Sequence, residues 1–443
     1  MTPVPPGPAA PMPVVDIDLA EPGAFRRPGG RTRNAPTGRA LGLVRLHGRP
    51  LGMTEASGLE PAELWRAFET AALREFPDAA RGHRPRPGDG PPVRGGAPEI
   101  SVVVATRNRA GMLRDCLDSL LALEYPRFEI LVVDNAPADT SARDLVGRRY
   151  AASGRSDGPA VRYLHEPVPG LARAHNRGLA AARGPIVAFT DDDTLVDPRW
   201  LTALAEPFLS DPRTGCVTGL IVPAELDTEA QVALERHGAF AKGYTPRTWS
   251  LRAPPADPLF PFTAGRFGSG ANMAFRTRLL RELGGFDPAT GVGTPARGGD
   301  DLLSFFRVLA RGRSLAYEPG AIVWHRHRRT PEALEAQAFG YGAGLGAYLA
   351  GALVHEPRML PALLRRLPGG VRYALARSRE RAGADAPTGE PSTRIARLEL
   401  RGLLYGPVGY LRSRREERRL QRRSAHRPGG RAHPDTRRRG AAR

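Results

Sequence analysis

The chain is poor in cysteine, with Cys116 and Cys216 as its two thiols in 443 residues. Two are too few for a disulfide framework and show no repeated metal-ligand spacing, so a reducing compartment is expected. A secretory signal is also missing, because Met1 to Pro13 is Pro-rich and lacks a basic-then-apolar layout. The longest uncharged stretch, Phe339 to Val354, is interrupted by glycines. It falls short of the roughly 20 apolar residues that span a bilayer. No basic motif interleaved with aromatics is present, so nucleic acid is not an expected partner. These absences lead to a cytoplasmic expectation, with peripheral contact at the inner face of the cell membrane as the alternative. The chain does have enough apolar content (41%) for a core, and its 51 Gly and 44 Pro imply extensive loops or tails. Its net charge is +19, and much of that lies between Arg412 and Arg443. A solvated basic tail explains this, and attraction to anionic headgroups or an anionic acceptor is the rival explanation.

Composition and periodicity divide the chain into segments. Residues 1–39 read as a disordered leader. Residues 40–80 form a small α+β module, in which Ala40 to Glu55 supplies two short strands around a His-Gly-Arg-Pro turn. Pro61 to Phe76 follows as an amphipathic helix with Leu64, Ala67, Phe68, Ala71 and Ala72 on one face. Residues 81–97 are a Pro/Gly/Arg linker, 98–330 the main α/β domain, 331–410 a helical region and 411–443 a basic disordered tail. In the main domain, Ile100 to Ala105, Phe128 to Val133 and Pro185 to Thr190 are apolar runs suited to strands buried on both faces. Helical stripes alternate with them, which implies a mostly parallel sheet flanked by helices. Asp197-Pro198 is expected to open a helix to Leu209, and Ala289 to Gly299 to be a flexible Gly-rich loop able to close on a substrate.

Three polar clusters fall at carboxyl ends of strands, where such sheets gather ligands. They are Thr106-Arg107-Asn108, Asp134-Asn135 and Asp191-Asp192-Asp193. Carboxylates two apart at the end of a buried strand suit a hard divalent cation, Mg²⁺ or Mn²⁺, which would also offset their mutual repulsion. A second acidic pair, Asp300-Asp301, opens a helix. A carboxylate there can serve as a general base, kept ionised by the helix N-terminus. His325 and His327 flank Arg326 at the end of the last strand, and either is a candidate third metal ligand.

Six stretches, SVVVATRNR (101–109), EILVVDNA (129–136), GLARAHNRGLAAARGPIVAFTDDD (170–193), GSGANMAFRTRLLRELGGFD (268–287), GGDDLLSFFRVLARG (298–312) and EPGAIVWHRHR (318–328), occur in an order and spacing that resembles family 2 glycosyltransferases of the GT-A fold. The resemblance covers about residues 98–330 and implies a Rossmann-like α/β domain. It also implies inverting transfer of a sugar from a nucleotide-diphosphate donor to a glycan, lipid-linked or small-molecule acceptor, in glycan or glycoconjugate biosynthesis. By the same resemblance Thr106, Arg109, Arg173 and Asn176 lie at the donor, and Asp134 contacts a pyrimidine base, favouring a uridine or thymidine diphosphate sugar. Asp191 faces ribose and metal, Asp193 binds the metal with His325, and Asp192 supports them. Asp301 is the candidate base beside Asp300, which stands where Glu is commoner. Gly270, Asn272 and Met273 are acceptor-side.

Two other readings compete. A sugar-phosphate nucleotidyltransferase also uses acidic metal sites on an α/β sheet. It would want a Gly-rich, Arg/Lys-bearing activation loop after the first strand, a pattern missing from Ala105 to Gly111. A non-catalytic scaffold binding membrane or polyanion through its basic tail would have no need of both acidic clusters.

Overall fold

The computed structural model describes residues 11–30, 36–77, 96–151, 158–238, 240–366, 368–369 and 391–425. Its strands are β1 Val14–Asp18, β2 Gly38–Leu46, β3 Arg49–Gly58, β4 Ile100–Thr106, β5 Phe128–Asn135, β6 Ala160–Glu166, β7 Ile186–Asp191, β8 Thr194–Val196, β9 Thr214–Pro223, β10 Arg247–Trp249, β11 Met273–Arg276 and β12 Ser314–His325. The α-helices are α1 Pro61–Glu75, α2 Ala110–Leu120, α3 Ser141–Leu145, α4 Leu171–Ala181, α5 Trp200–Ser210, α6 Glu229–Gly238, α7 Thr277–Glu282, α8 Asp300–Ala310, α9 Pro331–His355 and α10 Pro391–Ala425.

A nine-stranded sheet in the order β10-β12-β9-β11-β7-β4-β5-β6, with β8 on β12, forms the main domain. β7, β4, β5 and β6 run parallel, as do β9 and β12. This is the mostly parallel α/β sheet flanked by helices that the sequence predicts. Between the two parallel blocks lies β11, antiparallel to both β7 and β9. Its four residues are too few for a periodic signal in the sequence. Both faces of the sheet are covered. Val103, Leu131, Phe189 and Phe275 join the α8 aromatics Phe305 and Phe306 on one side. Val102, Ile130 and Ala188 join Leu113, Leu117 and Trp200 on the other.

The leader departs from expectation. β1 pairs in parallel with β2, so at least residues 14–18 are part of the N-terminal sheet rather than disordered. The period-two alternation explains why. Val15 and Ile17 face α1, with Phe25, Leu64 and Phe68. Val14, Leu41 and Leu43 face the main sheet, against Leu220, Val222, Ile322 and Trp324. Arg45 extends the second face and is buried between two carboxylates, 2.7 Å from Asp16 and 2.6 Å from Asp197. Removing one partner of such a buried group costs about 3–5 kcal/mol, so this ion triad locks module and domain together. Asp197 is therefore not a simple helix cap. α5 begins at Trp200, beyond Pro198, with no side-chain cap.

The C-terminal boundaries also shift. α9 starts at Pro331 with the Thr330 side chain capping Ala333 N–H. α10 runs on to Ala425, well into the stretch read as a disordered tail. It packs on α9 so closely that Gly346 and Gly406 leave no room for side chains. Among the described residues, no helix is long and apolar enough to cross a membrane. The Gly-rich stretch before α8 is a bridged turn rather than an open loop, with Gly291 N–H donating to Gly298 C=O at 3.0 Å. Gly299 sits in the left-handed region (φ 86°), and a Cβ there would press into the Gly344 carbonyl of α9.

Candidate active site

The carboxyl ends of β4, β5, β7 and β12 open onto a cavity of about 630 Å³. Its lining brings together Thr106, Arg109, Asp191, Asp192, Asp193, Gly270, Asp300, Asp301 and His325 from the sequence reading. Four other expected residues have structural partners instead. Arg173 forms an ion pair with Glu417 of α10. Asn176 clamps the turn after α7, donating to Phe286 C=O and accepting from Phe286 N–H at 2.8 Å each. Asn272 is fully buried, taking Trp200 Nε1–H at 2.9 Å and donating to the Leu220 and Ala321 carbonyls. Met273 is in the core. None of these four is among the residues that line the cavity. Asp134 lies behind the wall residue Asn135. Its Oδ2 accepts from Tyr163 OH at 3.0 Å, its buried Oδ1 has no hydrogen-bond partner, and burial pushes its pKa up.

Ligand atoms of Asp191, Asp193 and His325 lie within 4.8 Å of one another. No other such group of three occurs among the described residues. The two histidines at the end of the last strand turn to different partners. His325 Nε2 is 3.4 Å from Asp193 Oδ1, whereas His327 turns its Nε2 to Glu235 at 3.3 Å. The two rings meet through their Nδ1 atoms at 3.1 Å. Burial alone would raise Asp193, but His325, Arg109 and Arg328 outweigh it and hold the carboxyl well below its usual range. Burial likewise acts to lower His325, and Asp193 reverses this, raising it. Arg109 bridges Asp192 at 3.1 Å and Asp193 at 2.8 Å. Asp192 also accepts from Thr106 Oγ1 at 2.7 Å, yet its burial pushes it up to about 7. Asp191 is raised too, by burial and then by the Asp193 charge.

Across the cavity, Asp301 Oδ2 accepts from Gly270 N–H and Oδ1 from its neighbour Leu302 N–H, both at 2.8 Å. Burial, reinforced by Asp300, pushes Asp301 up to about 7, against both hydrogen bonds. Desolvation here outweighs the helix N-terminus, which favours the ionised form.

His175 was not recognised from the sequence. It is 1% exposed, with Nδ1 3.3 Å from Asp300 Oδ2 and its ring between Phe189 and Phe286, centroids 5.0 and 4.9 Å away. Ala172, His175 and Leu179 share the buried face of α4. A histidine on an apolar helical stripe was the available signal.

Residues 101–284 match the family model described as glycosyl transferase family 2. The chain is 31% identical over 252 residues to the pre-mycofactocin glycosyltransferase of Mycobacterium tuberculosis, covering 57% of this chain and 46% of that protein. It is 32% identical over 120 residues to the poly-beta-1,6-N-acetyl-D-glucosamine synthase of Staphylococcus epidermidis, covering 27% and 28%. The chain thus spans less than half the length of these relatives. Among solved structures, the mannosyltransferase PcManGT of Pyrobaculum calidifontis, in complex with GDP-Man and Mn²⁺, aligns with a TM-score of 0.48 at 21% identity, covering 78% of this chain and 95% of that one.

Proposed function

We propose that the chain, whose residues 101–284 match the model of glycosyl transferase family 2, is a metal-dependent, inverting glycosyltransferase. It moves a sugar from a nucleotide-diphosphate donor to an acceptor hydroxyl. One observation carries this reading. A compact Asp191-Asp193-His325 group and a raised carboxyl, Asp301, line the same cavity.

The residues fit a divalent cation. Asp193 Oδ1 is buried without a hydrogen-bond partner, and two carboxylates with one imidazole suit Mn²⁺ or Mg²⁺. Bound there, the cation would neutralise charge on the leaving diphosphate. The chain's own groups do the rest. Arg109 and Arg328 supply fixed positive charge beside the aspartates. Asp301, aimed by the Gly270 and Leu302 N–H groups, takes the proton of the acceptor hydroxyl. The acceptor oxygen forms its bond to the anomeric carbon as the bond to the diphosphate oxygen breaks, and that electron pair leaves with the diphosphate. Thr106, Arg107 and Asn135 form the nucleotide end of the cavity. The motif position of Asp134, next to the lining residue Asn135, favours a uridine or thymidine donor. A role in cell-surface glycan or glycoconjugate biosynthesis follows from this reaction class.

A thermal-shift screen of UDP-, dTDP- and GDP-sugars with Mn²⁺ tests the proposal. A matched donor at 100 times its Kd should add about 2.7 kcal/mol of stability, with slow metal-dependent donor hydrolysis. Stabilisation by donors without any metal dependence would overturn it.

A further inference from the structure

The two faces of α10 meet different surroundings. The inner face is fixed to the rest of the chain. The backbone of Gly402 and Gly406 closes on the Phe339 and Ala343 carbonyls of α9. Tyr410 OH donates to Asp287 at 2.7 Å, and Ser413 Oγ accepts from Ala296 N–H at 3.2 Å. The outer face leaves four large aliphatic side chains exposed, Leu400 (58%), Leu404 (73%), Val408 (46%) and Leu411 (54%). At about 100° per residue these positions fall within an arc of about 80°, in a strip about 16 Å long. Positions 397, 415, 418 and 422 fall on the same arc, and each is an exposed arginine. Between residues 394 and 423 the helix carries ten arginines and three glutamates. One of those glutamates, Glu417, is turned inward to Arg173, which leaves the outer face strongly positive.

We propose that this face docks on a bilayer surface containing anionic lipid, the aliphatic strip entering the headgroup boundary and the arginines meeting lipid phosphates. The proposal goes beyond the transferase reading and does not depend on it. Aliphatic side chains gain by leaving water, and a helix lying in the interface buries such a strip about 5–10 Å deep. Arginines on the same face are then at the level of the anionic headgroups, where their charge is complemented. A second copy of the chain would cover the strip but would bring one arginine-rich face against another, and like charges repel. Nucleic acid would use the arginines but gain little from Leu400, Leu404 and Leu411, which offer no flat ring for a base. Because contacts on the inner face already hold the helix, docking carries little cost of ordering it.

The test floats the full-length protein with vesicles of phosphatidylcholine alone and of phosphatidylcholine mixed with about 30% phosphatidylglycerol. Partitioning into the anionic vesicles should exceed that into the neutral ones by about 10-fold or more at about 0.1 M salt, and should weaken at about 0.5 M. Arginines beyond residue 425 would also respond to lipid charge, so the deciding variants keep every charge. Leu404→Ser with Leu411→Ser, and separately Leu400→Ser with Val408→Ser, should each lower partitioning by about 10-fold or more. Leu73→Ser, at a comparably exposed leucine of α1 (53%), should leave it unchanged. Melting temperatures measured without vesicles check that each variant is folded. Binding to neither vesicle, binding indifferent to lipid charge, or binding that survives both paired substitutions would overturn the proposal. So would a dimer in sedimentation that the paired substitutions dissolve, since the face would then belong to a second copy.

Discussion

The end of β7 and the start of α8 each present adjacent aspartates to one cavity, and the two sites differ in the charge that surrounds them. At β7 the carboxylates meet a concentration of cations, Arg109, Arg328 and His325, and Asp193 is held well below its ordinary range. At α8 the neighbours are backbone N–H groups, Asp300 and His175, and Asp301 rises to about 7. Even within the first site the direction changes from one residue to the next, since Asp192 is pushed up to about 7. Residue type therefore does not assign the chemistry. The cation supply and the depth of burial set these directions, and under the proposed function they suit one cluster to a metal and the other to a proton.

The comparison breaks most severely if its metal half is removed. Asp193→Ala should abolish stabilisation by Mn²⁺ in a thermal-shift titration and lower transfer by about 1,000-fold or more. Transfer that survives at full rate would end the metal assignment. Removing the proton half should act differently. Asp301→Asn should lower kcat by about 100- to 10,000-fold while leaving the Mn²⁺ response intact. In the unmodified protein kcat/KM should rise with pH and level off above about 7, as Asp301 loses its proton. The Asn variant should lack that limb. The sign for stability runs the other way. A folded-state pKa above the unfolded value costs stability as pH rises from about 4 through 7. The Asn variant should therefore melt higher than the parent at pH 8, with the gap closing at pH 5. The smallest effect sharpens the second site. His175 lowers the Asp301 pKa through its charge, so His175→Gln should move the rising limb to higher pH by under about one unit. A limb that stays put would show that His175 serves packing alone.

Much of the frame was legible from periodicity. β4, β5 and β7 are continuous apolar runs and α8 is an apolar helix, and the three polar clusters fall at the carboxyl ends of the strands. Elements with weaker local signals were lost. β11 has four residues, and β1 lies in a Pro-rich leader whose alternation makes sense only once β2 and the main sheet lie on either side of it. Arg173 and Asn176 matched a motif, but a motif records residue type and order. It does not record that Glu417, some 240 positions away in sequence, would claim the arginine, or that the Phe286 turn would claim the asparagine.

For the aspartate pairs the division is similar. Local sequence determined that Asp191 to Asp193 end a buried strand and that Asp300-Asp301 open a helix, because hydrophobic period and chain direction are local properties. Only the tertiary structure decided that His325 rather than His327 joins the first group and that His175 attends the second. Electrostatic fields and cavity walls depend on distances between segments remote in the chain, and those distances exist only once the sheet has brought the segments together.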